Sequence, residues 1–187
     1  PTNNKYTNSN TSSANSNSTM KGNTYKSENQ ETTITTNVDK SLLNSVPSSV
    51  GTDLNLECGG AVLIEQNSGR VLYDHNMHQK LRPASVTKIM SILLIMEAID
   101  SGRLSYTDKI PCTETAAAMG GSQIWLDVRE ELTVDEMLKA ICVVSANDCT
   151  VAMAEYLAGS QEAFVEQMNA KAKELGMNDT NFKNCHG

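Results

Sequence analysis

The segment Pro83-Ala84-Ser85-Val86-Thr87-Lys88-Ile89-Met90 contains the start of a predicted helix and a serine and a lysine at close spacing. From Ser85 to Asp100 apolar residues recur at helical spacing, and Gly102 follows as a favourable end. The pattern predicts a buried helix over residues 85–100. We expect its apolar side to consist of Ile89, Ile92, Leu93 and Met96.

Ser85 and Lys88 are three residues apart at the start of that helix, so their side chains share one face. A serine hydroxyl is a poor nucleophile until a base takes its proton, and a lysine can be that base when apolar neighbours favour its neutral form. A helix N-terminus also offers N–H groups to a developing oxyanion. The spacing predicts Ser85 as nucleophile and Lys88 as general base. The alternative is a capping serine and a solvated lysine.

Further elements are predicted on both sides of this helix. Upstream, residues 59–73 have the pattern of a β-hairpin around the turn Asn67-Ser68-Gly69. Downstream, helices are predicted over residues 133–145, 148–159 and 161–175, the last capped by Ser160. The first of these begins with a capping box at Thr133, and its expected apolar stripe is Met137, Leu138, Ile141 and Val144.

The order of these elements, strands followed by helices, indicates an α/β protein of the α+β type: a helical cluster with an antiparallel sheet. Two strands alone make a marginal sheet, so the sheet is incomplete as it stands. We expect the remaining strands to lie beyond Gly187.

Ser145-Ala146-Asn147 lies between two of the predicted helices and places a hydroxyl and an amide on a tight turn. These residue types are also favoured as helix caps. Capping and catalysis therefore both remain open for this motif when it is considered by itself.

Composition divides the chain and excludes some functions. More than half of the first 40 residues are Asn, Ser or Thr, which predicts a disordered leader or linker over residues 1–48 before a folded domain over residues 49–187. A net charge of -7 without basic clusters argues against a nucleic-acid partner. No apolar run reaches transmembrane length. The five cysteines lack zinc-ligand spacing, so small buried thiols are expected, with an oxidised pair as the alternative in an exported protein.

The two motifs occur in the order known from penicillin-binding proteins and class A β-lactamases, Ser-x-x-Lys followed by Ser-x-Asn. With the sequence around them they resemble the serine D-alanyl-D-alanine carboxypeptidases, low-molecular-mass penicillin-binding proteins of peptidase family S11. The resemblance covers about residues 55–187. Its stretches are Ser68-Gly69-Arg70-Val71-Leu72-Tyr73, Pro83 to Met90, Val144 to Asp148, Ala154 to Ser160 and Lys173-Glu174-Leu175-Gly176-Met177.

The resemblance implies a β-lactamase/transpeptidase-like fold and a serine peptidase that removes the terminal D-alanine of peptidoglycan stem peptides. Ser85 would be acylated, Lys88 would be its general base, Ser145 would relay a proton to the leaving amine, and Asn147 would bind the substrate backbone. It further implies acylation of the same serine by β-lactams and no metal or organic cofactor. The protein would be exported to the outer face of a bacterial cell membrane or wall, with any membrane association through segments outside this chain.

Two departures from the family pattern bear on these expectations. No Lys-Thr-Gly, Lys-Ser-Gly or His-Thr-Gly occurs in the chain, so we expect the strand that carries it beyond Gly187 and this piece alone to be inactive. The segment Asn184-Cys185-His186-Gly187 resembles the family's Asn-Pro-His-Gly with Cys185 in place of proline, and His186 is expected to be a loop residue.

Two other functions stay open. One is a β-lactamase of the same fold, although no Glu-x-x-Leu-Asn loop follows Asn147. The other is a non-catalytic wall-binding relative.

Overall fold

The computed structural model describes residues 54–187 and the backbone of two short strands nearer the N-terminus. These strands, β1 (Tyr25–Ser27) and β2 (Gln30–Thr32), pair antiparallel. The rest of the predicted leader, residues 1–48, lies outside the described residues, so its disorder stays a prediction. The chain divides into two compact units, residues 1–79 and 80–187.

The first unit contains the predicted hairpin, which is confirmed. Its strands are β3 (Ala61–Ile64) and β4 (Val71–His75), paired antiparallel with a register shift between Leu63 and Ile64. The Glu65 carboxylate closes the turn by accepting hydrogen bonds from the backbone N–H groups of Asn67 (2.9 Å) and Ser68 (2.7 Å). A hydrogen bond from the Ser68 hydroxyl, together with these two backbone bonds, lowers the pKa of Glu65 to about 2.

The second unit begins with a 3-10 turn over Ala84–Thr87 and is mainly helical. The predicted helices are present as α1 (Lys88–Asp100), α3 (Val134–Val144), α4 (Asn147–Ala158) and α5 (Gln161–Glu174). Sequence patterns missed the strands β5 (Lys109–Pro111) and β6 (Glu131–Thr133) and the helix α2 (Glu114–Ala117). Each has only three or four residues, which are too few to show the apolar period of a strand (2 residues) or of a helix (3.6 residues).

Local capping explains where the longer helices begin and end. Thr133 and Glu136 form the predicted capping box of α3, and the Ser160 hydroxyl accepts from the Ala163 N–H at the start of α5. Helix α3 ends where Ser145 adopts the left-handed conformation, with φ 62°. Val144, predicted to belong to the buried stripe of α3, is exposed and lies next to this end.

Helix α4 is the centre of the second unit. It packs against α1, α2, α3, α5 and β5. Seven consecutive residues from Asp148 to Ala154 are buried, because neighbours cover the helix on all sides. Met137, Val151, Met153, Phe164 and Met168 are among the core side chains that are fully or almost fully buried.

The predicted apolar face of α1 was wrong. Ile89 is 67% exposed, and Ile92, Leu93 and Met96 are only partly buried. The buried face instead carries Met90, Leu94, Ile95 and Ala98. Residues 89–96 are apolar at every position except Ser91, so the period of the pattern could not select one face.

The expected helix start at Ser85 is also corrected. Ser85 lies inside the 3-10 turn, and the α-helix proper begins at Lys88. Within the described part of the chain, no helix is both long and apolar enough to cross a membrane.

Candidate active site

Ser85 and Lys88 lie together, as the spacing predicted. Lys88 Nζ donates a hydrogen bond to Ser85 Oγ (3.2 Å) and another to the His186 carbonyl oxygen (2.9 Å). Ser85 is exposed, whereas Lys88 is only 3% exposed. The 3-10 turn joins the two residues, so an accessible hydroxyl is held against a buried amine.

Burial lowers the pKa of Lys88 from its ordinary value of 10.5, because the charged form is poorly solvated there. A Cys185 thiolate would oppose this shift. However, burial raises the pKa of Cys185 to about 12, so the thiol is neutral and desolvation prevails. The two hydrogen-bond partners of Lys88 Nζ are uncharged oxygens, so neither stabilises the ammonium as a carboxylate would. The environment therefore shifts Lys88 toward the neutral amine, the form that can act as a base.

The backbone before the serine is in an unusual conformation. Ala84 has φ 47°, in the left-handed region that residues with a Cβ rarely adopt. The Ser85 N–H makes no hydrogen bond to another residue that the structure describes. Such strained backbone is concentrated at functional sites, and a free amide next to a nucleophile can bind an oxyanion.

The segment 184–187 is fixed against the start of α1. Ser91 Oγ donates to the Cys185 carbonyl oxygen (2.6 Å), and Asn184 Oδ1 accepts from the His186 N–H (3.2 Å). Gly187 is so close that a Cβ on it would lie 1.9 Å from the Ala84 carbonyl oxygen. Only the backbone of His186 bonds to Lys88, and burial lowers the pKa of its imidazole. Its expected role as a loop residue fits this arrangement.

Ser145 and Asn147 flank the turn between α3 and α4. At α4 the N-cap residue is Ala146 and no side chain makes a cap hydrogen bond, whereas Ser145 is the C-cap residue of α3. Asn147 Nδ2 instead donates to the Gly120 carbonyl oxygen (2.7 Å). Among the described residues, no hydrogen bond links Ser145 or Asn147 with Ser85 or Lys88.

Sequence reasoning missed the loop 119–126, to which Asn147 is bound. The Asn147 N–H donates to the Ser122 carbonyl oxygen (2.7 Å). Gly121 lies against the amide of Asn147 with φ +80°, and a Cβ there would be 2.9 Å from Asn147 Nδ2. Two consecutive glycines were the only signal in the sequence, and they did not identify the partner.

The cysteines divide into two groups. Cys112, Cys149 and Cys185 are buried, whereas Cys58 and Cys142 are exposed, contrary to the expectation that all five are buried. All five are free thiols. Across residues 54–187, no group of three or more His, Cys, Asp or Glu residues is placed to hold a metal ion.

Comparison with known sequences identifies a family. The sequence model described as D-alanyl-D-alanine carboxypeptidase, peptidase S11, matches residues 46–187. D-alanyl-D-alanine carboxypeptidase DacF of Bacillus subtilis is 56% identical over 135 residues, which are 72% of this chain and 35% of that protein. DacC of Escherichia coli is 36% identical over 132 residues, 67% of this chain and 33% of that protein. The chain thus spans about a third of the length of these relatives.

Solved structures give the same result for the fold. D-alanyl-D-alanine carboxypeptidase DacD from Francisella tularensis superposes with a TM-score of 0.70 at 36% identity, over 73% of this chain and 33% of that one. Penicillin-binding protein D2 from Listeria monocytogenes, in its ampicillin-bound form, superposes with a TM-score of 0.65 at 27% identity, over 73% and 54%. The predicted fold class is therefore confirmed as the α/β fold of penicillin-binding proteins.

Proposed function

We propose, on the premise that this chain belongs to peptidase family S11, the D-alanyl-D-alanine carboxypeptidases, that the protein is a serine peptidase of the bacterial cell wall. It removes the terminal D-alanine from peptidoglycan stem peptides through an acyl-enzyme. The observation that carries the proposal is the buried Lys88 amine 3.2 Å from the exposed Ser85 hydroxyl. Because the chain spans about a third of its relatives, the activity is proposed for the whole protein.

The chemical steps follow from this pair. Ser85 Oγ attacks the carbonyl carbon of the penultimate D-alanine while neutral Lys88 Nζ takes the hydroxyl proton. The C–N bond to the terminal D-alanine then breaks, and Ser145 relays the proton held by Lys88 to the departing amine. Water then attacks the ester carbonyl: its oxygen enters the new carboxyl group, one of its protons restores the Ser85 hydroxyl, and the shortened peptide is released.

Two groups are suited to bind the reacting peptide. The Ser85 N–H has no hydrogen-bond partner within the described residues and is available to the oxyanion of the tetrahedral intermediate. Asn147 uses its Nδ2 for the Gly120 carbonyl, which leaves Oδ1 to accept a hydrogen bond from a substrate N–H. Asn147 is therefore proposed as a substrate-binding residue.

The same serine is proposed to be acylated by β-lactam antibiotics. The Listeria relative has been solved with ampicillin and with cefotaxime bound. Since the substrate is cell-wall peptidoglycan, the proposed location is the extracytoplasmic face of the membrane or the wall. The relatives named above are carboxypeptidases and penicillin-binding proteins, so the β-lactamase alternative is not favoured.

The test uses the protein expressed from its complete reading frame. Ser85→Ala is expected to abolish both labelling by a fluorescent penicillin and release of D-alanine. Ser18→Ala is a matched control, because Ser18-Thr19-Met20-Lys21 has the same spacing in the predicted leader. This variant should retain both activities. Retained labelling in Ser85→Ala would overturn the assignment of the nucleophile.

A further inference from the structure

A buried carboxylate lies next to Asn147. Asp148 is 0% exposed, at the start of α4. Its oxygens accept hydrogen bonds from three backbone N–H groups: Ile124 (3.1 and 3.4 Å), Leu126 (3.2 Å) and Cys149 (2.9 Å). No lysine or arginine in the described part of the chain forms an ion pair with it. The Cys149 thiol also hydrogen-bonds to this carboxyl group. Each backbone N–H that donates to the buried side chain is held in place, because breaking the bond would leave a buried polar group unpaired.

The two loop amides that Asp148 holds lie on either side of Trp125. Trp125 has φ 59°, a conformation that is unfavourable for a bulky residue, and its side chain is 77% exposed. The side chain is oriented as well, since the Gln123 amide can accept from Trp125 Nε1 (3.0 Å) while donating to the Met119 carbonyl (2.6 Å). The carboxylate thus imposes a backbone shape that the loop would not adopt by itself.

The same loop holds the Asn147 side chain. Asn147 bonds through its N–H to Ser122 (2.7 Å) and through Nδ2 to Gly120 (2.7 Å), both by way of carbonyl oxygens. Asn147 and Asp148, which are consecutive in α4, therefore bind the loop at its two ends. Asp148 fixes residues 124–126, and Asn147 is itself fixed by residues 120–122.

We propose that Asp148 is a positioning residue that locks the loop 119–126 onto α4 and thereby sets the orientation of the Asn147 amide toward the substrate. This inference rests on the proposed function, because it assigns Asn147 to substrate binding. Asp148 acts through the loop and makes no contact with the reacting atoms. The carboxylate is required, since an amide in its place would turn an NH2 donor toward backbone donors.

Asp148→Asn in the full protein is the test, with Asp127→Asn as its control. Asp127 is an exposed carboxylate directly after the same loop. Labelling by fluorescent penicillin is followed over time to completion, at a temperature where both variants are fully folded. We expect Asp148→Asn to be acylated about 10- to 100-fold more slowly, because small displacements of a positioning group have effects of this size. We expect labelling to reach the wild-type stoichiometry at completion.

This pattern separates positioning from simple loss of structure. Because both variants are fully folded at the assay temperature, a purely structural role for Asp148 would leave the acylation rate of Asp148→Asn equal to that of the wild type. An unchanged rate would overturn the proposal, and so would a rate that falls equally in the Asp127→Asn control. Failure of the proposed function is recognised separately, because Ser85→Ala would then still be labelled.

A second measurement requires no variant at Asp148. In the wild-type protein, the backbone N–H groups of Ile124 and Leu126 should exchange with solvent at least about 10-fold more slowly than the backbone N–H groups of Gln123 and Trp125. The latter two N–H groups make no hydrogen bond within the described residues. Equal exchange across residues 123–126 would show that the carboxylate does not hold the loop and would overturn the proposal even if Asp148→Asn fails to fold.

Discussion

Gly121→Ala tests whether the loop contact to Asn147 is as tight as the geometry indicates. Gly121 has φ +80°, and an added Cβ would meet Asn147 Nδ2 at 2.9 Å. The amide could move away only by giving up its 2.7 Å hydrogen bond to the Gly120 carbonyl. Gly120 is the matched control, because a Cβ there would have nothing within 4 Å.

The magnitude follows from three contributions. An alanine in the left-handed region costs about 1–2 kcal/mol, and the loss of one hydrogen bond costs about 1 kcal/mol. Restriction of the unfolded chain by a Cβ stabilises either variant by about 0.4–1 kcal/mol. Gly121→Ala should therefore be less stable than Gly120→Ala by about 2–3 kcal/mol, because the unfolded-state contribution cancels between them.

Urea denaturation of the two variants measures this difference directly as a shift in midpoint at unchanged slope. Penicillin acylation should slow in Gly121→Ala and not in Gly120→Ala, since only the former displaces Asn147. If the two variants unfold within about 0.5 kcal/mol of each other, a difference typical of surface substitutions, the close approach of Gly121 to Asn147 is not what holds this loop.

Four further results are expected. Burial lowers the pKa of Lys88 below 10.5, so as the pH rises the folded protein loses this proton before the unfolded chain does. The acylation rate should therefore rise with pH through an ionisation below 10.5. The contribution of Lys88 to the free energy of unfolding should increase with pH between the pKa of the folded state and that of the unfolded chain. Lys88→Ala should abolish this rise of the acylation rate with pH and slow acylation by several orders of magnitude. A wild-type pH profile without an ionisation below 10.5 would exclude Lys88 as the base. Thr133→Ala should destabilise the protein by about 1 kcal/mol in the same urea assay, since it removes the capping box of α3; an unchanged midpoint would contradict this. Deletion of residues 1–47 should leave the melting temperature unchanged if the leader is disordered, and a fall of several degrees would refute that reading.

The order of the elements and the core of the candidate site were predictable because they depend on local geometry. A Ser and a Lys at i and i+3 meet on one face of a helical turn whatever surrounds them, and the 3.2 Å contact agrees with this. Thr133 and Ser160 mark helix starts for a similarly local reason, since the caps bond within three residues.

Local patterns were enough to predict the four longer helices, the hairpin and the Ser85 and Lys88 pair, and the motifs indicated the family. Which face of α1 is buried depends on the elements that pack against it, since that helix is apolar almost all round. Packing also sets the partners of the site residues: Lys88 bonds to the His186 carbonyl, Asn147 to the Gly120 carbonyl and Asp148 to the Ile124 N–H, which are 98, 27 and 24 residues away. Contacts over such separations are set by how the helices pack around α4, and no local pattern records that packing.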